Sequence, residues 1–61
     1  MPVVIVEMWK GRTQEQRKQL VEGITSSFVK IDTKQEAVHI ILKENEKDHW
    51  AIGGKLCSEG K

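Results

Sequence analysis

The sequence predicts an α/β (α+β) fold built from a single β-α-β unit with a parallel two-stranded sheet and a short C-terminal hairpin. Three patterns in the 61 residues support it: a β-branched apolar run at residues 3–9, an amphipathic helical repeat after residue 13, and a second apolar strand at residues 38–42. Two parallel strands and one helix cannot cover both faces of a sheet, so we expect the sheet to be completed by oligomerisation. Residues 1–61 are expected to form one domain.

The first predicted strand spans residues 3–9. Residues 3–6 are Val, Val, Ile and Val, and they place apolar side chains on both faces of the strand. That pattern is typical of a strand that is covered on both sides. Residues 10–12 break it, and Gly11 supplies the backbone freedom that a turn needs.

A capping box marks the start of the predicted helix, because Thr13 and Gln16 have the spacing at which side chain and backbone satisfy each other. The helix is predicted from about Gln14 to about Val29. Apolar residues recur at helical spacing and form its buried stripe: Leu20, Val21, Ile24, Phe28 and Ile31. Polar residues form its solvated face: Gln14, Glu15, Arg17, Lys18 and Glu22. Gly23 costs roughly 1 kcal/mol relative to alanine, and it either admits a close backbone neighbour or is a tolerated defect.

The second half of the chain predicts one more strand and a hairpin. Thr33 and Glu36 repeat the capping-box spacing, which indicates a single helical turn. In the strand at residues 38–42, alternation places His39 and Ile41 on one face and the other three residues on the opposite face. Residues 45–48 are predicted to be a polar loop, and Glu44 and Glu46 are expected to be solvated there. Residues 50–56 are predicted to be a short extended or hairpin segment with Gly53-Gly54 at its turn.

Composition excludes several classes of function. Ten Lys and Arg against nine Asp and Glu give a net charge of +1, so no field favours nucleic acid or an anionic membrane. No apolar run approaches the roughly 20 residues that span a bilayer. No basic segment precedes the first strand, as a signal peptide would require, so a cytoplasmic location is expected. Neither nucleic acid nor membrane is expected as a partner.

Neither a disulfide nor a bound metal is expected to stabilise the chain. Cys57 is the single cysteine, so it cannot close an internal disulfide. The two histidines, His39 and His49, and Cys57 lack the spacing of a zinc site, so no metal is expected. A chain this short then gains stability mainly from other copies of itself. We therefore expect a homo-oligomer.

Pro2 is the main catalytic candidate. A proline directly after the initiator methionine normally permits removal of Met1, which leaves a secondary amine at the head of a strand. An ordinary α-amino group titrates near about pH 8, and apolar walls such as Trp50 or a cation such as Arg12 would disfavour its charged form. A neutral amine is a competent general base near pH 7. The alternative is that Pro2 only resists aminopeptidases and begins a strand.

Cys57 is a second candidate nucleophile. A lone cysteine near a chain end is more often inert, and no histidine stands at a recognisable spacing to activate it. Gly53-Gly54 is not a phosphate-binding loop, because the remaining glycine and lysine of that motif are absent. Pro2 therefore remains the better candidate.

Three segments together resemble the 4-oxalocrotonate tautomerase family. They are Pro2 followed by an aliphatic strand, Gly11-Arg12-Thr13 with Glu15-Gln16 at the helix start, and His49-Trp50-Ala51-Ile52-Gly53-Gly54 near the end. The similarity covers nearly the whole chain. The resemblance implies a β-α-β subunit of a homohexamer, a trimer of dimers. It also implies a cofactor-independent isomerase that moves a proton in unsaturated 2-hydroxy and 2-oxo acids such as 2-hydroxymuconate, an acid of aromatic degradation.

The resemblance also assigns roles by position. Pro2 matches the acid-base residue, and Arg12 matches the arginine that binds and polarises a substrate carboxylate. Trp50 stands where the family has a phenylalanine that keeps the proline environment apolar. His39 departs from the family, whose best-studied members have an arginine there for the second carboxylate. A histidine offers no guanidinium fork, so His39 is either a weaker donor for a different acid or a polar residue at a subunit boundary.

Two classes of function follow. In the first, the protein is a tautomerase in which Pro2 abstracts and returns a proton, Arg12 and His39 bind a small carboxylic acid, and Trp50 excludes water. In the second, it is a catalytically silent oligomeric binding or scaffold protein with the same fold. The second applies if Met1 persists, because the nitrogen of Pro2 is then an amide and cannot act as a base.

Overall fold

The computed structural model describes residues 1–59 and confirms the predicted β-α-β unit and C-terminal hairpin. Its regular elements are β1 (Val3–Trp9), α1 (Gln14–Val29), β2 (His39–Asn45), β3 (Ala51–Ile52) and β4 (Lys55–Leu56). Three short 3-10 turns lie at Gln35–Ala37, Lys47–His49 and Cys57–Glu59. Strands β1 and β2 pair in parallel, whereas β3 and β4 form a separate antiparallel pair.

One face of the β1–β2 sheet is covered by α1. The register runs from Val3 opposite His39 to Trp9 opposite Asn45, so alternate residues of both strands share a face. On the inner face Met8 is the buried core residue of the described chain, with 8% of its surface exposed. The half-buried residues around it come from both strands and the helix: Val4, Val6, Ile40, Leu42, Leu20, Ile24 and Phe28.

The outer face of the sheet is open in a single chain. Val3 and Ile5 are each 54% exposed and Ile41 is 44% exposed, although the composition of β1 is that of a strand covered on both sides. Exposed aliphatic side chains that adjoin one another are typical of a surface that another protein chain covers. The second cover that the β1 sequence predicts therefore has to come from outside the chain.

The predicted capping box is present at the start of α1. The Thr13 hydroxyl accepts a hydrogen bond from the backbone N–H of Gln16 (3.1 Å), and the backbone N–H of Thr13 donates to Gln16 Oε1 (3.0 Å). Before it, Gly11 has a φ of 126°, a value that side chains disfavour, so its predicted role in the turn is confirmed.

The helix ends at Val29, and two predictions for its end were wrong. Ile31 lies beyond the helix and is 69% exposed, so it does not extend the buried stripe. Thr33 does not begin a second capping box. Its backbone N–H instead donates to the Phe28 carbonyl (3.1 Å), within a chain reversal in which Asp32 adopts a left-handed φ of 73°. The following turn is the predicted single turn, but no side chain caps it.

Strand β2 begins one residue later and ends three residues later than predicted. Val38 lies outside it because its N–H donates to the Gln35 carbonyl (3.2 Å) in the preceding turn. The polar loop was expected to begin at Asn45, with Glu44 also solvated, but residues 43–45 pair with residues 7–9 of β1. The backbone N–H of Lys10 then donates to the Asn45 carbonyl (2.9 Å) and extends the pairing. Polar side chains concealed this half of the strand, because its backbone partners lie far away in sequence.

The glycine pair forms the turn of the predicted hairpin. Gly53 and Gly54 have φ values of 60° and 86°, so both occupy the left-handed region that a two-residue hairpin turn of the primed type requires. The turn pairs Ala51 with Leu56 and Ile52 with Lys55.

Loss of the capping box is expected to destabilise the fold. Thr13→Ala leaves an N–H group at the start of α1 without its acceptor, and we expect the free energy of unfolding to fall by about 1 kcal/mol. Urea denaturation at a fixed protein concentration measures it. Ser26→Ala, an exposed change within the same helix, is the matched control and should not destabilise. Equal denaturation midpoints for Thr13→Ala and the parent chain would show that the cap contributes nothing.

Candidate active site

Two of the predicted site residues lie at the amino end of the sheet. The backbone N–H of His39 donates to the Pro2 carbonyl oxygen (3.0 Å), and this bond joins the starts of the two strands. Pro2 is half-buried and His39 is exposed. Met1 precedes Pro2, so the structure describes the unprocessed chain, in which the nitrogen of Pro2 belongs to an amide. Met1 is 82% exposed, so its removal takes away little packing.

The other two predicted residues lie beyond the opposite end of β1. Arg12 is exposed, and its Nη1 donates a long hydrogen bond to the Trp9 carbonyl (3.5 Å). Trp50 packs edge-to-face on Trp9, with ring centroids 5.8 Å apart and ring planes at 74°. Its carbonyl accepts a hydrogen bond from the backbone N–H of Cys57 (2.8 Å), which fixes Trp50 against the final turn.

A single chain therefore does not bring the four predicted residues together. Pro2 adjoins His39 at one end, and Arg12 adjoins Trp50, through Trp9, at the other. Strand β1 has seven residues, and at about 3.3 Å per residue it holds the two ends about 20 Å apart. A substrate of a few carbon atoms cannot bridge that gap. The two pairs can act on one substrate only if a second chain contributes one of them.

Trp9 was not predicted to belong to the site. It is 36% exposed on the outer face of β1, and the ammonium group of Lys47 lies 4.7 Å from its ring centroid. Trp9 and Trp50 are the only tryptophans of the chain. Nothing in the local pattern around Trp9 indicates their contact, although alternation along β1 does place Trp9 on the outer face.

A cleft of about 310 Å³ adjoins Trp50. Its lining residues are Glu7, Asn45, His49, Trp50 and Ala51. The carboxylate of Glu7 accepts a hydrogen bond from Asn45 Nδ2 (3.0 Å), so this acid is already engaged within the sheet.

Arg17 and Glu44 were expected in solvent, and both expectations were wrong. Arg17 Nη1 donates to the Arg12 carbonyl oxygen (2.6 Å) and to Glu44 Oε2 (3.1 Å). Both side chains are half-buried, at 35% and 23% exposed. The reason is the longer β2, because it carries Glu44 onto the inner face of the sheet under the first turns of α1.

Two cations that lie close to Arg12 in the sequence, Lys10 and Arg17, are paired with carboxylates. Lys10 and Glu46 form a hydrogen bond of 2.8 Å. This bond is the largest cause, and the attraction between the two charges the second, of a raised pKa at Lys10 and a lowered pKa at Glu46. Arg17 is paired with Glu44. Within residues 1–59, Arg12 and Lys47 have no carboxylate within 4.0 Å. Arg12 is therefore free to pair with an anion.

Other parts of the described chain offer less chemistry. A groove of about 460 Å³ runs along the outside of α1 beside the turn at Gln35–Ala37, and it is lined by Val21, Glu22, Thr25, Ser26, Val29 and Gln35. The Cys57 thiol is free and half-buried. In residues 1–59 no three His, Cys, Asp or Glu side chains converge as a metal site would require. No helix in the same residues is long and apolar enough to cross a membrane.

Comparison with known proteins agrees with the fold. A model of the family described as tautomerase enzyme matches residues 2–60. The 2-hydroxymuconate tautomerase of Bacillus subtilis (strain 168) is 43% identical over 61 residues, with 97% of each chain covered. The crystal structure of YwhB, a homologue of 4-oxalocrotonate tautomerase, has a TM-score of 0.93 at 36% identity and covers 98% of this chain and 100% of its own.

A heterohexameric 4-oxalocrotonate tautomerase from Chloroflexus aurantiacus has a TM-score of 0.90 at 26% identity, with 100% of both chains covered. Fold and sequence together define a class, the small isomerases built on a β-α-β subunit. The chain belongs to the tautomerase family. Membership supports a tautomerase function, and it agrees with the expectation that the chain works as part of an oligomer, as homologous tautomerases do.

Proposed function

We propose that the mature protein catalyses keto-enol proton transfer, over 1,3 or 1,5 positions, in unsaturated 2-hydroxy and 2-oxo acids such as 2-hydroxymuconate. The observation that carries the proposal is the placement of Pro2 in a chain of this family. Pro2 heads β1 and directly follows an exposed Met1. The name of the B. subtilis relative supports this choice of substrate.

The reaction needs one base and one anion-binding group. The neutral amine of Pro2 takes the proton of the 2-hydroxyl group, and the O–H electron pair forms the new carbonyl. The carbon-carbon double bond shifts, and the prolyl ammonium returns the same proton to carbon. Arg12 binds the adjacent carboxylate and stabilises the negative charge that develops during the shift. Trp50 and Trp9 wall the site and exclude water, which favours the uncharged amine.

The proposed site is shared between chains of a homo-oligomer. Two copies placed side by side with their β1 strands antiparallel bring Pro2 and His39 of one chain toward Arg12 and Trp50 of the next. The open outer face with Val3, Ile5 and Ile41 supplies the apolar surface for further association. A homohexamer, arranged as a trimer of dimers, would pair the β1 strands within each dimer and cover the outer faces between dimers. The heterohexameric relative supports this size of assembly.

His39 bears on the choice of acid. It is exposed beside Pro2, and its side chain is shorter than the arginine of the best-studied family members and lacks the guanidinium fork. We propose that a substrate with one carboxylate depends on Arg12 alone and is turned over well. A dicarboxylate such as 2-hydroxymuconate receives weaker help from His39 at its second end.

The state of the Pro2 nitrogen is the direct test of the proposed function. We expect mass spectrometry of protein from its native host to find Met1 removed. Nitrogen-15 NMR of the processed protein should then give a Pro2 amine that titrates near neutral pH. Ketonisation of 2-hydroxymuconate and of phenylenolpyruvate, followed by absorbance, should show turnover. Retention of Met1, or a prolyl amine that titrates like a free terminus, would favour the silent binding protein instead.

Arg12 is expected to supply a large part of the substrate affinity. Arg12→Ala removes a charge-assisted contact with the carboxylate, so kcat/KM should fall by about 10- to 150-fold, equivalent to about 1.5–3 kcal/mol. Steady-state ketonisation kinetics measure the change. Lys10→Ala is the matched control, because it removes a nearby charge that is exposed and paired with Glu46. Equal losses in both variants would show that Arg12 acts only through the net charge of this end.

A further inference from the structure

We propose that Arg17, held by Glu44, is a positioning residue that fixes Arg12 for binding of the substrate carboxylate. The inference rests on the proposed function, because it assigns a supporting role toward the anion-binding arginine. Two contacts carry it: Arg17 Nη1 lies 2.6 Å from the Arg12 carbonyl oxygen and 3.1 Å from Glu44 Oε2. One nitrogen thereby ties the backbone of Arg12 to β2.

The segment that carries Arg12 needs such a tie. It leaves β1 through Gly11, which has no side chain to restrict its backbone and adopts a φ of 126°, and it enters α1 after Arg12 and the cap residue Thr13. The Arg12 guanidinium itself has only the long hydrogen bond to the Trp9 carbonyl (3.5 Å). A long side chain on a freely turning backbone loses much entropy when it binds a ligand. Fixing the backbone beforehand lowers that loss and strengthens binding.

The burial and charge of the pair suit this role. Arg17 and Glu44 are half-buried, whereas the neighbouring pair of Lys10 and Glu46 is well exposed. A partly buried ion pair is screened less by water and salt than an exposed one. Pairing with Glu44 also neutralises Arg17, so that it does not compete with Arg12 for the carboxylate. The Arg12 carbonyl, the group that Arg17 holds, belongs to the residue that precedes the helix cap.

If the pair of Arg17 and Glu44 were purely structural, it would stabilise the fold without strengthening substrate binding by Arg12. A double-mutant cycle distinguishes the two roles, because a residue that acts through Arg12 has no effect once Arg12 is gone. Arg17→Gln is made in the parent chain and in the Arg12→Ala chain. Lys18→Gln is the matched control, since Lys18 is the adjacent, exposed residue of α1. Ketonisation kinetics are measured on each fully assembled variant, after circular dichroism and sedimentation confirm fold and size.

We expect Arg17→Gln to lower kcat/KM by about tenfold in the parent chain, the loss of one charge-assisted hydrogen bond. In the Arg12→Ala chain the same change should alter kcat/KM by less than about twofold. Lys18→Gln should leave kcat/KM unchanged in both chains. Arg17→Lys keeps a charge that reaches toward both acceptors and should recover part of the loss. The proposal would be overturned if Arg17→Gln lowered kcat/KM by the same factor in the two chains, or if it left kcat/KM of the parent chain unchanged.

Assembly is the second control. If Arg17→Gln does not assemble, the cycle is run with Glu44→Gln, which keeps the size of the side chain and an acceptor oxygen but removes the charge. Glu44→Gln should lower kcat/KM in the parent chain, by less than Arg17→Gln does, and should have little effect on kcat/KM in the Arg12→Ala chain. The failure of the proposed function is distinguishable, because an inactive parent chain, or activity that does not depend on Pro2, would refute the tautomerase. An active, Pro2-dependent enzyme with additive effects would refute only the role of Arg17.

Discussion

Replacement of Pro2 by alanine is expected to lower kcat/KM by about 10²- to 10⁴-fold, the usual contribution of a general acid-base group. Alanine at position 2 also permits removal of Met1, so the variant still has a terminal amine. That amine is primary, it rotates freely, and it lacks the ring that holds the nitrogen in one direction at the head of β1. Ketonisation of 2-hydroxymuconate, followed by absorbance, measures the loss.

A second altered form distinguishes the contribution of the basic amine from that of the proline ring. One uncleaved glycine ahead of Pro2 keeps the proline but makes its nitrogen an amide, and it should lower kcat/KM at least as much as the alanine change does. Unchanged circular dichroism and sedimentation show that neither form has lost its fold or assembly. Wild-type turnover in the glycine-extended form would contradict the assignment, since no basic nitrogen remains on Pro2.

A charge on the outer face of the sheet is expected to disassemble the protein. Ile5→Asp places a carboxylate in the middle of β1, among Val3 and Ile41, where a second chain has to pack. Burial of an unpaired carboxylate costs several kcal/mol, and a chain of 61 residues has only a few kcal/mol of stability to lose. Analytical ultracentrifugation should report species no larger than the β1-paired dimer, and turnover should fall because that dimer leaves its outer face, with Trp9, open to water.

Ser58→Asp is the matched control for that variant. It adds the same charge at an exposed position in the last described turn, and it should leave mass and activity unchanged. An Ile5→Asp protein that keeps its full mass and its turnover would show that the outer face is not an interface. Loss of mass in both variants would point to net charge rather than to the sheet.

Local patterns predicted most of the fold. Strand β1, helix α1 with its Thr13 cap, and the turn at Gly53-Gly54 lie where the sequence places them, because each depends on neighbours within a few residues. The second half of β2 was missed for the opposite reason. Residues 43–45 look like a solvated loop, and only pairing with residues 7–9 makes them a strand.

The sequence supplies a candidate set of site residues but not their arrangement. Resemblance to the family named Pro2, Arg12, His39 and Trp50. The parallel connection of two strands does place Pro2 beside His39, since both begin a strand. Side-chain contacts between distant segments leave no local signal, and the Trp9–Trp50 and Arg17–Glu44 pairs therefore emerge only from the structure.

The contact between Trp9 and Trp50 makes the chain an optical reporter of its own site. These are its only indoles, and both lie at the end of the sheet that carries Arg12. Ultraviolet-excited emission from the protein therefore originates entirely at that end, with no background from elsewhere in the subunit. An anion that settles on Arg12, or a neighbouring chain that approaches the indoles, changes the polarity around both emitters, so occupancy and association can be followed without an attached dye.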